Sequence, residues 1–161
     1  MLAAIALLAA VAAHADLAEV HTFDDVMQAF RGESRVRVVN VWATWCAPCV
    51  AEIGEIQSVA DKYRAKGVEV VGVSLDDAVG GERVATKKHV LDFLAKRNIH
   101  FRNVYFIGTS AQLTDQMHFD GSIPITLVFD ANGKEIARNE GKLDRAWFEK
   151  QLDQLTKGKS K

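Results

Sequence analysis

The stretch Val38 to Ile56, VVNVWATWCAPCVAEIGEI, holds both cysteines of the 161-residue chain, Cys46 and Cys49, and two of its three tryptophans, Trp42 and Trp45. Ahead of the pair, Val36 to Trp42 (VRVVNVW) is rich in β-branched residues and nearly all apolar. A strand covered on both faces has that composition. Behind it, Val50, Ile53, Ile56, Val59, Ala60 and Tyr63 recur at steps of three and four. They form one apolar stripe of a helix, which Gly67 stops. The cysteines therefore sit where a buried strand gives way to a helix.

That position bears on the chemistries open to C-x-x-C. Structural zinc takes four ligands, usually from two pairs. There is no second cysteine pair, and the five histidines, His14, His21, His89, His100 and His118, are scattered. Haem attachment of the c type requires a histidine directly after the second cysteine, where Val50 stands. A staple across so short a loop removes little chain entropy. Redox chemistry uses the position itself. Pro48 suits a first helical turn, whose amides lack helical partners anyway. Cys46 then lies at the positive end of the helix dipole, with first-turn N–H groups aimed at its sulfur. Such settings lower a cysteine pKa from about 8.5 to roughly 3.5–7.5. The thiolate is the nucleophile of disulfide exchange, and a second thiol one turn on resolves the mixed disulfide. Cys46 attacks, Cys49 displaces the product from deeper in the helix, and Trp45 gives an apolar wall beside the nucleophile.

The rest of the chain reads outward from this point. Thr22 caps a helix over Phe23 to Phe30, with Asp24 and Asp25 in its first turn. Val68 to Leu75 is a second buried strand. Asp76 to Val84 (DDAVGGERV) reads as a polar loop, with Asp76 and Asp77 solvated rather than holding a cation. A helix follows over about Val84 to Arg97, with Val90, Leu91, Phe93 and Leu94 facing inward. NVYFIG, Asn103 to Gly108, is a short strand, and AQLTDQMHF after it a short helix. Its Met117-His118 pair reads as helix-end packing rather than a copper site. ITLVFD and EIARNEG are strands joined at Asp130 to Gly133, a hairpin signal. A last helix runs over about Leu143 to Leu155, with Phe148, Leu152 and Leu155 on one face and Trp147 beside them. Strands alternating with helices predict an α/β layer fold with a parallel part, and the late hairpin adds an antiparallel edge.

Composition fits one globular domain, with 48% hydrophobic and 25% charged residues. A net charge of −1 provides no field for nucleic acid or an anionic membrane. The basic tail, Thr156 to Lys161, reads as a frayed end. At the other end, Leu2 to Ala13 is an uncharged apolar run closing on Ala13-His14-Ala15. Its length and small-residue end read as a signal peptide over residues 1–15, leaving 16–161 as the folded domain. No Lys or Arg precedes the run, and it is short for a bilayer span. Left uncleaved, it would stay on as a membrane anchor.

VWATWCAPC, between a buried strand and a helix, resembles the signature of the thioredoxin superfamily. More narrowly, the chain is similar to secreted TlpA/ResA/DsbE-like thiol-disulfide oxidoreductases. Asn40 stands where cytoplasmic thioredoxins usually place an aspartate, and Glu52 falls three residues after Cys49. An insertion with its own helix, about Asp76 to Phe119, precedes GSIPITLVFDANGKEIA, Gly121 to Ala137. The similarity runs from about Phe23 to Leu155. It implies a thioredoxin fold, a central mixed β-sheet flanked by helices, with a helical insertion before a strand led by a cis proline. Ile123-Pro124 would be that cis bond, set beside the dithiol so that its backbone pairs with an incoming peptide; the plainer reading has Pro124 merely start an edge strand. Glu52 would be buried and exchange protons with Cys49; the plainer reading makes it a solvated helix residue.

The resemblance further implies an exported protein, periplasmic or extracytoplasmic, that reduces protein disulfides. A membrane electron donor of DsbD/CcdA type would restore the dithiol. On the chain's own residues no cofactor or metal is expected, and the protein is expected to act as a monomer. The sequence departs from the family pattern at three points. Gly54 stands in an area that often holds proline, and Ser122 where glycine is frequent. Ile125 follows Pro124 where the cytochrome c maturation subgroup carries an acidic residue. Two other functions stay open on the sequence: a disulfide-donating oxidase, and a copper-delivery module using the cysteines as ligands.

Overall fold

A computed structural model describes residues 17–32 and 34–157; the expected signal peptide, residues 1–15, lies outside them. In chain order the elements are β1 (Ala18–Val20), α1 (Phe23–Gln28), β2 (Val36–Trp42), α2 (Ala47–Arg64), β3 (Val68–Ser74), a 3₁₀ turn (Asp76–Val79), α3 (Arg83–Lys96), β4 (Arg102–Phe106), α4 (Ser110–Met117), β5 (Ile125–Asp130), β6 (Glu135–Glu140) and α5 (Arg145–Thr156). The strands form one six-stranded sheet in the order β1-β4-β3-β2-β5-β6. β1, β4, β3 and β2 run parallel, and β5 and β6 are antiparallel to their neighbours. This is the mixed α/β sheet expected from the sequence.

β2 lies centrally, between β3 and β5. Its apolar run follows from that place: Val38, Val39 and Val41 are fully buried, so both faces are covered. α2 supplies one cover through Ile53, Ile56 and Val59, and α5 contributes Phe148 and Leu152 to the same core. Among the described residues no helix is long and apolar enough to cross a membrane.

Local signals explain most element ends. Thr22 caps α1, and Asp25 returns the bond to the Thr22 backbone, completing a capping box. The helix stops at Gln28, short of Phe30. At the hairpin, the Asp130 carboxylate accepts from Asn132 and Lys134 N–H, while Gly133 takes a φ of +79° that a side chain would strain. Two features differ from the sequence reading. β1 is three residues long and pairs only with β4, too short to leave a periodic signal. Asp76 to Val79 is a 3₁₀ turn with Asp76 buried, not a solvated loop.

Gly72, in the middle of β3, opens a lane for one side chain. A Cβ there would come 2.1 Å from Asn103 Oδ1 and 3.0 Å from the Phe101 ring. Asn103 uses the space to accept from the Trp42 indole N–H at 2.9 Å, while its amide donates to the Phe101 carbonyl. Trp42 is thus fixed by a buried hydrogen bond at the end of the strand that leads into the cysteines. Gly72→Ala is expected to cost about 1–3 kcal/mol through overpacking, read as a lower urea midpoint with an unchanged slope.

Candidate active site

The site is built where β2 ends. The chain leaves the sheet at Trp42, turns through Ala43 to Cys46, and enters α2 at Ala47. The Cys46 N–H donates to the Ala43 carbonyl at 3.2 Å, closing the turn. Cys46 is the N-cap of α2, with Pro48 in the first turn. The Cys49 N–H donates to Cys46 Sγ at 3.3 Å. The helix therefore directs an amide hydrogen, and the positive end of its dipole, at the first sulfur, a setting that favours thiolate.

Cys46 and Cys49 are joined as a disulfide, with Cα atoms 5.3 Å apart. The two residues differ in access: Cys46 is 6% exposed and Cys49 1%. Trp45, immediately before Cys46 in the chain, is 51% exposed, a large apolar side chain left open to solvent.

The antiparallel half of the sheet brings the second part. β5 pairs with β2, placing Ile125 opposite Val41. The residues leading into β5 therefore lie beside the β2–α2 turn. The Ile123-Pro124 peptide is cis, and the Ile123 carbonyl oxygen lies 3.6 Å from Cys46 Sγ. The Pro124 carbonyl accepts from Gly141 N–H at 2.8 Å.

Beneath these groups lies a buried polar cluster. Glu52, one turn beyond Cys49 on α2, is 1% exposed, which removes the reading of a solvated helix residue. Its Oε2 accepts from the Leu143 N–H at 2.6 Å. Asn40 donates through Nδ2 to Thr126 Oγ1 at 3.1 Å. Among the described residues, none donates a hydrogen bond to the buried Glu52 Oε1 or Asn40 Oδ1. Burial raises the Glu52 carboxyl above its ordinary range, with Glu55 adding to the shift; the Leu143 N–H, the Asn40 side chain and Lys142 only partly oppose it. Thr126 and the Leu143 amide carry no signal in the sequence, because only the fold brings them to Asn40 and Glu52.

Asp76 is a second group that sequence reasoning missed. It is 2% exposed and accepts from the Thr44 N–H and hydroxyl and from the Ser74 hydroxyl. The one available signal was its place directly after a buried strand, at the sheet end that carries the cysteines.

Two surface hollows stand out among the described residues, and neither is lined by a cysteine. The larger, about 530 Å³ and lined by Arg31, Arg64, His100 and Arg102 among others, lies where β3 and β4 begin, at the end of the sheet opposite the disulfide. Among the described residues no group of three or more His, Cys, Asp or Glu gathers to hold a metal ion.

A mixed sheet flanked by helices, with a C-x-x-C disulfide at the start of one of them, defines a protein of the thioredoxin fold. The redoxin family model matches residues 25–155, and the chain belongs to that family. It is 32% identical over 115 residues to the thiol-disulfide oxidoreductase ResA of Oceanobacillus iheyensis, covering 70% of this chain and 54% of that one. To ResA of Bacillus cereus it is 26% identical over 118 residues, covering 73% and 62%. The chain thus spans less than two thirds of the length of these curated relatives. The crystal structure of a DsbF homologue from Corynebacterium diphtheriae superposes with a TM-score of 0.62 at 25% identity, covering 76% of this chain and 73% of that one.

Proposed function

We propose that the chain is an exported thiol-disulfide oxidoreductase that reduces disulfides in extracytoplasmic proteins through Cys46 and Cys49. The observation that carries this reading is the paired cysteine at the head of α2, with an N–H bonded to the outer sulfur. In the dithiol form, Cys46 thiolate attacks one sulfur of a target disulfide. A mixed disulfide forms and the other target sulfur leaves as a thiolate. Cys49 then attacks Cys46 Sγ, closing the Cys46–Cys49 disulfide and expelling the second target sulfur. Two electrons pass from protein to target.

The surrounding groups fit these steps. Trp45 and the backbone of Ile123-Pro124 flank the outer sulfur, where an extended peptide would lie. Cys49, inside α2, needs to lose its proton before it can attack; Glu52, buried one turn on, takes that proton in its carboxylate form and gives it back to Cys49 when the dithiol is restored. Asn40 cannot, so it holds its place in the cluster through Thr126.

Residues 1–15 act as the signal for export, with cleavage after Ala15, and residues 16–161 work as a monomer in the periplasm or its equivalent. A membrane donor of DsbD/CcdA type resupplies the dithiol. Support comes from the names of the relatives, ResA being called a thiol-disulfide oxidoreductase and HelX of Rhodobacter capsulatus a thiol:disulfide interchange protein.

Trapping tests the proposal. Cys49→Ser is expected to accumulate with target proteins as mixed disulfides through Cys46, released by dithiothreitol and read on non-reducing gels. The absence of any thiol-sensitive adduct would contradict it, and copper or zinc bound to unmodified thiols would favour metal delivery instead.

A further inference from the structure

The Cys46-bearing turn is tied to the sheet by a buried carboxylate. Asp76 follows β3, whose end is joined to the end of β2 by the Leu75 N–H donating to the Trp42 carbonyl at 2.9 Å. From there its side chain reaches across to Thr44, two residues before Cys46. The Thr44 N–H lies 3.2 Å from each carboxylate oxygen, and the Thr44 hydroxyl donates to Oδ1. The Ser74 hydroxyl donates to Oδ2 at 2.8 Å. Every hydrogen bond described for Asp76 as acceptor comes from a neutral donor.

A carboxylate taken out of water is costly unless donors replace the water it loses. Of the donors that do so here, two belong to Thr44. Lifting the turn would strip Asp76 of both, so the buried charge and the turn hold each other. On its other side the turn is closed by the Cys46 N–H to the Ala43 carbonyl. Between these two anchors the position of Cys46 Sγ is set relative to the Cys49 N–H and the Ile123 carbonyl. Misplacing a reacting atom by about 1 Å can cost on the order of a hundredfold in rate.

We propose that Asp76, acting through Thr44, is a positioning residue for Cys46. It fixes the Ala43–Cys46 turn so that the outer sulfur stays on the axis of α2. This rests on the dithiol reading above and adds a residue that touches neither sulfur. Loss of the anchor makes the thiolate less well stabilised, which slows its attack and shifts the dithiol–disulfide balance toward the disulfide.

The test follows reduced protein reacting with glutathione disulfide, protein dithiol plus GSSG giving protein disulfide plus two GSH, for rate and for equilibrium constant. Thr44→Val keeps the shape and removes the hydroxyl. It is expected to slow exchange about tenfold and to move the equilibrium toward the protein disulfide. Thr44→Ser restores the hydroxyl and is expected to recover both values. Asp76→Asn is expected to slow exchange as well. Should it fail to fold, the Thr44 pair alone decides. A merely structural role would lower the melting temperature while leaving rate and equilibrium constant at wild-type values in the folded Thr44→Val protein, and that result overturns the proposal. So does a change in Asp76→Asn with none in Thr44→Val, which would mark an effect of charge alone. A wild-type protein that does not exchange with glutathione overturns the dithiol reading itself, and this proposal with it.

Discussion

Cys46→Ser is expected to abolish disulfide exchange, with turnover of an insulin-type disulfide substrate falling to the uncatalysed rate. The reason is the asymmetry of the pair. Cys46 is the more exposed of the two residues, and its sulfur receives the Cys49 N–H. Cys49, 1% exposed inside the helix, is the less accessible of the pair to an incoming disulfide. A serine at position 46 receives the same N–H but cannot form a disulfide with the target. Stability should change little, because the bond lost closes a very short loop and constrains the unfolded chain weakly. Full activity in a folded Cys46→Ser protein would place the nucleophile elsewhere.

Glu52→Gln is expected to have the second largest effect, slowing turnover about a hundredfold, the scale of a lost general acid–base. Alkylation of Cys46 should stay near wild type, since the outer sulfur owes its thiolate to the helix start. Glutamine keeps an acceptor for the Leu143 N–H and fills the same space, so the substitution separates proton transfer from packing. Stability supplies an independent check. Folding raises the Glu52 carboxyl above its ordinary range, chiefly by burial. Between the unfolded and folded values the folded state holds the extra proton. The contribution is therefore fully present below the unfolded value and lost as pH rises through the folded one. Urea unfolding across that window should show wild-type stability declining with rising pH, and Glu52→Gln removing that part of the slope. Identical pH profiles would mean that the fold does not raise the Glu52 carboxyl.

The architecture was largely legible because its signals are local and periodic. The nearly all-apolar run of β2, the three- and four-residue stripe of α2 and the turn at Asp130 to Gly133 each name their element directly. The placement of Cys46 at a helix start follows from the same reading, since Pro48 marks a first turn. What could not be read depends on pairing. Nothing around Leu143 announces that its amide meets Glu52, and Thr126 joins Asn40 only because β5 lies against β2. Asp76 shows the limit most clearly. Two aspartates before a glycine pair have the composition of a solvated loop, yet the first turns inward because β3 ends beside the Thr44 N–H and hydroxyl. Its neighbour Asp77 pairs with Arg83 at 3.0 Å in the more ordinary way.

The central claim is that Cys46 and Cys49 interconvert as one two-electron couple and work as a reductant. The most direct test equilibrates the protein with a dithiothreitol or glutathione series and reads the oxidised fraction by the two-hydrogen mass difference. The expected result is a single two-electron curve with a midpoint toward the thioredoxin end of the scale, near about −270 mV. A midpoint near about −120 mV would reverse the direction of electron flow, and a cysteine pair that does not respond anywhere in the series would contradict the claim outright.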